Sequence, residues 1–279
     1  MKVIIYCVGG LAEKIVYSLD DKKIDVVAIA DGNPAYSGGV TTTLNIPVIS
    51  PDEIKSLDYD YVMVALEYHF DEIKADLIQK GVDGDKIVVY RQEKYEWDFL
   101  DERVSQMRKC MELIRRRNVA GEMAELGVYK GDFSCLLNCY MPERNLYLFD
   151  TFEGFNSDRD VVASGDIRNF KDTSEKLVMS KMEHPKKCIV RKGYFPDTAL
   201  GLEEEKFCFV SLDCDLYEPM IAGLEYFYPR LSHGGYIFVH DFGNRHYPGA
   251  GKAVIEFCDR EKIGFIPLMD QYNTVIISK

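Results

Sequence analysis

Short apolar segments alternate with amphipathic, helix-like segments along this 279-residue chain, and the alternation constrains the fold more than any other feature. The first apolar segment, "KVIIYCV", is rich in β-branched residues. It precedes "GGLAEKIVYSLDD", in which apolar residues recur at helical spacing. Repeated strand–helix alternation produces a parallel sheet covered by helices. The sequence therefore predicts an α/β protein.

A charged stretch without Gly or Pro, residues 91–118, separates two such series. We predict a Rossmann-like N-terminal domain at 1–95, a helical connection at 96–118 and a second Rossmann-like domain at 119–279. The second series ends in the apolar segments "GFIPLMD" and "NTVIISK", which are separated only by "QY". So short a link predicts an antiparallel strand pair, because parallel strands need a long crossover.

Composition excludes several classes of function. The formal net charge is −12, and such a surface repels phosphate backbones, so we expect no nucleic-acid partner. No apolar run has the length that spans a bilayer, and the first residues do not read as a signal peptide. We therefore expect a cytoplasmic protein. The eight cysteines are scattered and form no CxxC pair, which argues against a zinc site or a disulfide framework.

Glycine and aspartate follow the first two predicted strands of the second domain. Gly127 and Gly131 precede a predicted helix, and Asp150 ends the next strand. Ligands of open parallel sheets bind at the carboxyl ends of the strands, where glycine admits close backbone approach and an acidic residue binds ribose hydroxyls. These features indicate a nucleoside-containing cofactor. Two ordinary strand–helix turns are an equally acceptable explanation at this point.

Carboxylates follow a later apolar segment, "KFCFVSL". Asp213 and Asp215 are two positions apart, share one face of an extended chain, and repel each other unless a cation or a hydrogen-bonding partner lies between them. His240 and Asp241 end the strand predicted to lie beside them. Carboxylates with imidazole suit a divalent metal, and an oxygen-rich set favours Mg²⁺ or Mn²⁺. The alternative is a strand-end histidine beside a helix-capping aspartate.

Five stretches carry a family resemblance: "AELGVYKGDFS", "LYLFDTFEGF", "KGYFPDT", "FVSLDCDLYEPMIAGLEYFYPRLSHGGYIFVHDF" and "GAGKAVIEF". They occur in order within residues 119–279, which resemble the macrocin O-methyltransferase (TylF-like) family. These are class I, S-adenosylmethionine- and Mg²⁺-dependent sugar O-methyltransferases. The resemblance implies a class I methyltransferase sheet ending in an antiparallel strand pair. It also implies an enzyme that methylates a hydroxyl of a sugar or glycosylated small molecule, and a homodimer.

The same resemblance implies roles for individual residues. Asp213 matches a metal ligand and candidate catalytic base, and His240 and Asp241 match the other metal ligands. The family has Asp-Asp where this chain has His-Asp, so the site loses a negative charge, and Mn²⁺ or no metal at all stays open beside the expected Mg²⁺. Asp150 is expected to bind the ribose and Ser134 the amino-acid end of the cofactor. The implied cofactor-binding residues are Glu125, Gly127, Val128, Tyr129, Gly131, Ser134, Asp150, Thr151, Phe152, Gly193 and Tyr194.

The first domain resembles the Rossmann-like domains of polysaccharide-biosynthesis proteins. Cys7 stands where the phosphate turn of such domains has its first glycine, and Asp31 ends the second strand. Loss of cofactor binding, a nucleotide-linked sugar and a partner protein are all open for this domain. Two other functions also stay open: an NAD(P)-dependent oxidoreductase using the first domain, and a non-catalytic scaffold with a degenerate methyltransferase fold.

A long polar segment, residues 154–187, lies between two predicted strands of the second domain and is expected to form a substrate lid. A helix is predicted near 173–183, and Asp172 with Glu175 resembles a capping box at its start.

Two tyrosines, Tyr217 and Tyr247, either stack on the sugar or pack internally.

Overall fold

The computed structural model describes residues 1–39, 45–90, 97–155, 170–244, 247–270 and 273–279. The chain divides into two compact units, Met1–Glu112 and Leu113–Lys279. Within the described segments, no helix combines the length and apolar character needed to cross a membrane.

A five-stranded parallel sheet forms the first unit, with strand order β3-β2-β1-β4-β5. Its strands are β1 (Lys2–Tyr6), β2 (Asp25–Ala30), β3 (Val48–Ile49), β4 (Tyr61–Val64) and β5 (Ile87–Val89). Its helices are α1 (Gly10–Ser18), α2 (Phe70–Gln79) and the 3₁₀ helices Pro51–Ser56, Glu67–His69 and Gly84–Lys86.

Helices cover both faces of this sheet because side chains alternate along each strand. Ile5 packs with Ile15 of α1 on one face. Ile4 packs on the other face, with Leu77 of α2 and Ile54 of a 3₁₀ helix. All these side chains are buried. The predicted Rossmann-like arrangement of the first series is confirmed.

The connecting helix is shorter than the sequence suggested. α3 runs from Glu102 to Arg116. The preceding described residues are not helical, and Phe99 forms an isolated bridge with Leu19. In its first part, α3 is bonded into the first unit: the Arg108 guanidinium donates to the Leu19 carbonyl oxygen at 2.6 Å. The unit therefore extends to Glu112, beyond residue 95, and residues 91–96 lie outside the described segments.

The second unit contains a seven-stranded sheet with order β8-β7-β6-β9-β10-β12-β11. Its strands are β6 (Glu122–Leu126), β7 (Leu146–Asp150), β8 (Cys188–Lys192), β9 (Phe207–Leu212), β10 (Leu231–Val239), β11 (Ile266–Pro267) and β12 (Val275–Ser278). Its helices are α4 (Asp132–Tyr140), α5 (Glu175–Lys181), α6 (Tyr217–Arg230), α7 (Pro248–Glu261) and the 3₁₀ helices Pro185–Lys187 and Asp197–Ala199.

In this sheet β12 pairs antiparallel with both β10 and β11, and the other described strand pairs are parallel. The predicted antiparallel ending is confirmed. On one face, α6 and α7 pack Phe227 and Phe257 against the sheet, both at most 1% exposed. The strand order reverses between β6 and β9, which is where ligands enter sheets of this type.

The helix predicted near 173–183 is α5, but its cap differs from the prediction. The Ser174 hydroxyl accepts the Leu177 N–H at 3.1 Å, so Ser174 is the N-cap. Asp172 instead accepts the Tyr129 hydroxyl at 2.6 Å and pairs with Lys130. The capping-box prediction for Asp172 was wrong because these partners on another loop hold its carboxylate.

The turn after β1 is strained at Cys7. Its φ is +91°, a region that L-residues rarely adopt. The Cys7 N–H donates to the Ala30 carbonyl oxygen at 2.8 Å, and the Val8 N–H donates to Asp31 Oδ2 at 2.7 Å. These bonds hold the turn although its first residue has a side chain. Burial, with the charge of Asp31, raises the pKa of the Cys7 thiol to about 11, so the thiol stays protonated at neutral pH.

We expect Cys7→Gly to be more stable than Cys7→Ala by about 1 kcal/mol, because removing Cβ relieves the positive-φ strain. Neither variant carries the thiol, so their difference isolates the backbone term. Urea unfolding followed by the fluorescence of Trp97, the single tryptophan, measures it in the first unit. An alanine variant as stable as the glycine variant would contradict the strain.

Candidate active site

The carboxyl ends of β6 and β9 meet at Gly127. The Asp213 N–H donates to the Leu126 carbonyl oxygen at 2.8 Å, and Gly127 has φ +87°. A Cβ added to Gly127 would lie 2.0 Å from the Asp213 carbonyl oxygen, well inside contact distance. The turn after β6 therefore needs glycine for both its backbone conformation and its contact with the chain at Asp213.

Three side chains predicted as metal ligands lie together at this edge of the sheet. His240 Nδ1 is 2.9 Å from Asp213 Oδ1 and 3.0 Å from Asp241 Oδ2. One potential ligand atom from each residue lies within 4.8 Å of the others. The His240 N–H donates to the Leu212 carbonyl oxygen at 2.9 Å, which aligns the ends of β9 and β10. Adjacent parallel strands thus bring the three residues together.

A third carboxyl group, that of Asp215, belongs to the same cluster, and no ligand or catalytic role was predicted for it. Burial raises the pKa of Asp215 well above its usual range, and the neighbouring Asp213 and Asp241 charges and a hydrogen bond to Asp241 add to the rise. Burial alone would raise the pKa of Asp241, but the hydrogen bond and charge of His240 lower it. The "DCD" spacing was the sequence signal for Asp215.

The donor atoms of this cluster fit a divalent cation. Two carboxylates and an imidazole are ligands for Mg²⁺ and for first-row transition ions. Three protein ligands on one sheet edge leave other coordination positions for oxygens of a bound molecule.

Asp150 organises the turn on the other side of β6. Its Oδ2 accepts the N–H groups of Val128 and Tyr129 at 2.7 and 2.8 Å. Its Oδ1 accepts the Phe152 N–H at 2.7 Å. A carboxylate has about four acceptor positions, so these described bonds leave room for a hydroxyl donor such as a ribose. Asp31 holds the turn of the first unit through the equivalent bond to Val8.

Glu125 and Ser134 are placed deeper than the predicted cofactor contacts suggest. Glu125 is 2% exposed and Ser134 is fully buried. The Ser134 hydroxyl donates to Glu125 Oε2, and Ser211 on β9 lies 3.5 Å from Oε1. The pair links α4 to the strands beneath it. In this arrangement Ser134 orients the Glu125 carboxylate.

The remaining predicted cofactor residues lie on the loops after β6, β7 and β8. Gly131 has φ +76° and precedes α4. Thr151 donates its hydroxyl to the Gly154 carbonyl oxygen at 3.3 Å. Gly193 has φ +133°, and its N–H donates to the Asp150 carbonyl oxygen at 2.9 Å. Tyr194 follows it, half-buried. These loops share the carboxyl edge of the sheet.

Aromatic rings connect the loops at this edge, a feature that sequence reasoning missed. Phe170 contacts Tyr129 and Phe155 edge-on, with ring centroids 5.1 and 5.2 Å apart, and Phe155 lies 6.3 Å from Tyr247. Tyr217 instead donates to Glu256 at 2.5 Å. Residues 156–169, part of the predicted lid, lie outside the described segments.

Comparison with known proteins identifies the family of this chain. The sequence model described as Macrocin-O-methyltransferase (TylF) matches residues 100–270, more than half of the chain. The chain belongs to the macrocin O-methyltransferase family. A second model, described as C2185-like, N-terminal, matches residues 1–88. The prediction of an O-methyltransferase is confirmed, and the family favours it over an oxidoreductase or a scaffold.

Curated relatives of this chain are named as O-methyltransferases. Mycinamicin III 3''-O-methyltransferase of Micromonospora griseorubida is 26% identical over 58% of this chain and 69% of its own length. Demethyldecarbamoylnovobiocin O-methyltransferase of Streptomyces niveus is 25% identical over 50% of this chain and 60% of its own length. The chain thus spans only part of each relative.

Solved structures of methyltransferases share the fold of nearly two thirds of this chain. The O-methyltransferase NovP matches with a TM-score of 0.56 and 24% identity, over 63% of this chain and 79% of that chain. The calicheamicin methyltransferase CalS11 matches with a TM-score of 0.51 and 19% identity, over 64% of this chain and 80% of that chain. The predicted fold class is confirmed.

We expect Gly127→Ala to lower the free energy of unfolding by about 3 kcal/mol or more, because its Cβ collides with the Asp213 carbonyl in addition to straining the backbone. Gly201→Ala is the matched control: Gly201 has φ +84° with open space around its Cβ position, so it carries only the strain. Urea unfolding followed by circular dichroism compares the two. Equal losses would show that the contact with Asp213 is unimportant.

Proposed function

We propose that this protein is an S-adenosylmethionine-dependent, cation-assisted O-methyltransferase acting on a hydroxyl of a sugar or glycosylated small molecule. The observation that carries the proposal is the meeting of Asp213, His240 and Asp241 at the sheet edge. Asp150 ends β7, and only β6 lies between β7 and β9, the strand that Asp213 follows. One sheet edge then offers a cofactor turn and a cation site.

In this proposal the turns after β6, β7 and β8 hold the cofactor. Asp150 accepts a ribose hydroxyl through the acceptor position that its backbone bonds leave. Gly127 and Gly131 let the backbone after β6 adopt its positive-φ turns, and Glu125 is held in place by Ser134. Val128, Tyr129, Thr151, Phe152, Gly193 and Tyr194 line the same edge. When bound, the cofactor would supply a methyl group on a positively charged sulfur. The acceptor oxygen would attack the methyl carbon, and the sulfur would leave with the electron pair of the carbon–sulfur bond.

The acceptor hydroxyl lies at the carboxylate–imidazole cluster. Asp213, His240 and Asp241 would hold a divalent cation, Mg²⁺ or Mn²⁺, whose chemistry there would be to lower the pKa of the acceptor hydroxyl. Asp213 is the proposed proton acceptor, which removes the hydroxyl proton as the carbon–oxygen bond forms. Asp215 is hydrogen-bonded to Asp241 and holds that ligand in position.

The names of the relatives support the acceptor class. The mycinamicin enzyme is named for a 3''-O-methyl transfer, and a Streptomyces olivaceus relative, 24% identical over 50% of this chain and 60% of its own length, for a 4'-O-methyl transfer to a rhamnosyl tetracenomycin. A vicinal diol offers a cation two oxygens and suits the cluster.

A homodimer and a cytoplasmic location complete the proposal, with the family resemblance and the composition as their support. Size-exclusion chromatography with light scattering tests the dimer.

Binding of S-adenosylhomocysteine, measured by calorimetry on the full chain, is the first test of this function. Micromolar affinity supports a working methyltransferase site, and a panel of nucleotide-linked sugars and glycosides then identifies the acceptor. Absence of binding with and without added Mg²⁺ or Mn²⁺ would overturn the proposed function.

Asp213→Asn is expected to abolish methyl transfer while changing S-adenosylhomocysteine affinity less than about threefold, because Asp213 serves the acceptor and cation rather than the cofactor. Product formation by mass spectrometry and calorimetry give the two readouts. Asp259→Asn, an exposed aspartate on α7, is the control and should retain activity. Near-normal turnover of Asp213→Asn would remove Asp213 from the mechanism.

Asp150→Asn should weaken S-adenosylhomocysteine binding by about tenfold or more, because an amide nitrogen cannot accept the backbone N–H groups that the carboxylate holds. Asp31→Asn makes the equivalent change in the first unit and should leave this affinity unchanged. Calorimetry on both variants provides the comparison. Equal losses would indicate that the Asp150 effect is not local to the cofactor turn.

A further inference from the structure

Among the described residues, the donor set at the proposed cation site contains a nitrogen ligand and no sulfur. We propose that His240 makes this site select first-row transition dications, such as Mn²⁺, over Mg²⁺. The inference rests on the proposed function, because that function places a cation at this cluster. It names the residue that sets the choice of ion.

The nitrogen that would bind the ion is Nδ1. It faces both carboxylates, at 2.9 Å from Asp213 Oδ1 and 3.0 Å from Asp241 Oδ2. Ligands about 2.1 Å from an octahedral ion and at right angles are separated by roughly 3.0 Å. The imidazole nitrogen therefore already has the spacing of a neighbouring ligand to each carboxylate oxygen.

The backbone fixes the imidazole in this position. The backbone N–H of His240 donates to the carbonyl oxygen of Leu212 on β9, and the His240 side chain is 12% exposed. Asp241 is 10% exposed by side chain and is held by Asn244, whose Nδ2 donates to Oδ1 at 2.8 Å. Ligands held by a strand end and by a second hydrogen-bonding residue lose little freedom when an ion binds.

Ligand chemistry then decides the preference. Mg²⁺ gives up its water reluctantly and binds through carboxylate and other oxygens, so a neutral nitrogen in place of a carboxylate costs it a charge and a preferred donor. Imidazole suits the transition ions, whose affinities rise along the series from Mn²⁺. The same exchange therefore disfavours Mg²⁺ more than Mn²⁺.

Two substitutions separate charge from donor type. His240→Asp provides a carboxylate and should raise Mg²⁺ affinity. His240→Asn stays neutral and should lower Mn²⁺ affinity, because an amide oxygen replaces the imidazole nitrogen as the donor. His233→Asp, at an exposed position of the same strand β10, adds the same charge away from the cluster and is the matched control. S-adenosylhomocysteine affinity and thermal unfolding verify that each variant is folded.

Calorimetry with MgCl₂ or MnCl₂ alone measures the selectivity of the full chain. The wild-type and His233→Asp proteins should bind Mn²⁺ at least about tenfold more tightly than Mg²⁺, and the ratio should fall several-fold in His240→Asp. Pulsed electron paramagnetic resonance of bound Mn²⁺ should show coupling to a ligating nitrogen, lost in both His240 variants. If His240→Asp does not fold, His240→Asn carries the nitrogen test.

An unchanged Mn²⁺/Mg²⁺ ratio in His240→Asp, or bound Mn²⁺ without nitrogen coupling, would overturn the inference. A wild-type protein that binds S-adenosylhomocysteine but no Mn²⁺ would also overturn the inference, because its cofactor site would be intact while the cation site failed. Failure of S-adenosylhomocysteine binding alone overturns the proposed function and leaves a His240-dependent Mn²⁺ site standing. The two failures are therefore distinguishable.

Discussion

The contact between Gly127 and the Asp213 carbonyl is the constraint on which the rest of the candidate site depends. Only glycine lets the turn after β6 come this close to the chain leaving β9. The Asp213 N–H is bonded to Leu126, so the position of Asp213 follows from the same contact. Asp213 in turn determines where His240 meets a carboxylate. A backbone approach of a few ångströms thus connects the cofactor turn to the cation cluster.

The two units show that one turn can be built with or without glycine. Cys7 and Gly127 have φ values of +91° and +87°, and the next residue of each turn donates to an aspartate that ends or follows the neighbouring strand. At Gly127 a side chain would collide with Asp213, whereas at Cys7 the side chain is accommodated in the strained backbone. The requirement for glycine therefore comes from the tertiary contact more than from the turn itself.

Sequence patterns predicted the elements and much of the site because both depend on order along the chain. The apolar segments became strands, and the short "QY" link gave antiparallel β11 and β12. The adjacent ends of β9 and β10 bring Asp213 close to His240 and Asp241, as the order of these residues along the chain predicted. Details set by side-chain geometry were missed: Ser174 caps α5 because Tyr129 and Lys130 hold Asp172, and the contact of Phe170 with Phe155 joins residues whose spacing carries no pattern.

His240 illustrates how one residue can be both a structural and a chemical choice. Its backbone N–H belongs to the sheet and would serve any amino acid at that position. Its imidazole reaches two carboxylates that, facing each other alone, would repel and raise each other's pKa. A polar ring between them relieves that repulsion with or without an ion, whereas a carboxylate at position 240 would add to it and would need a cation to be tolerated. The histidine therefore makes the cluster compatible with folding before any metal binds, at the cost of the oxygen-only environment that Mg²⁺ prefers.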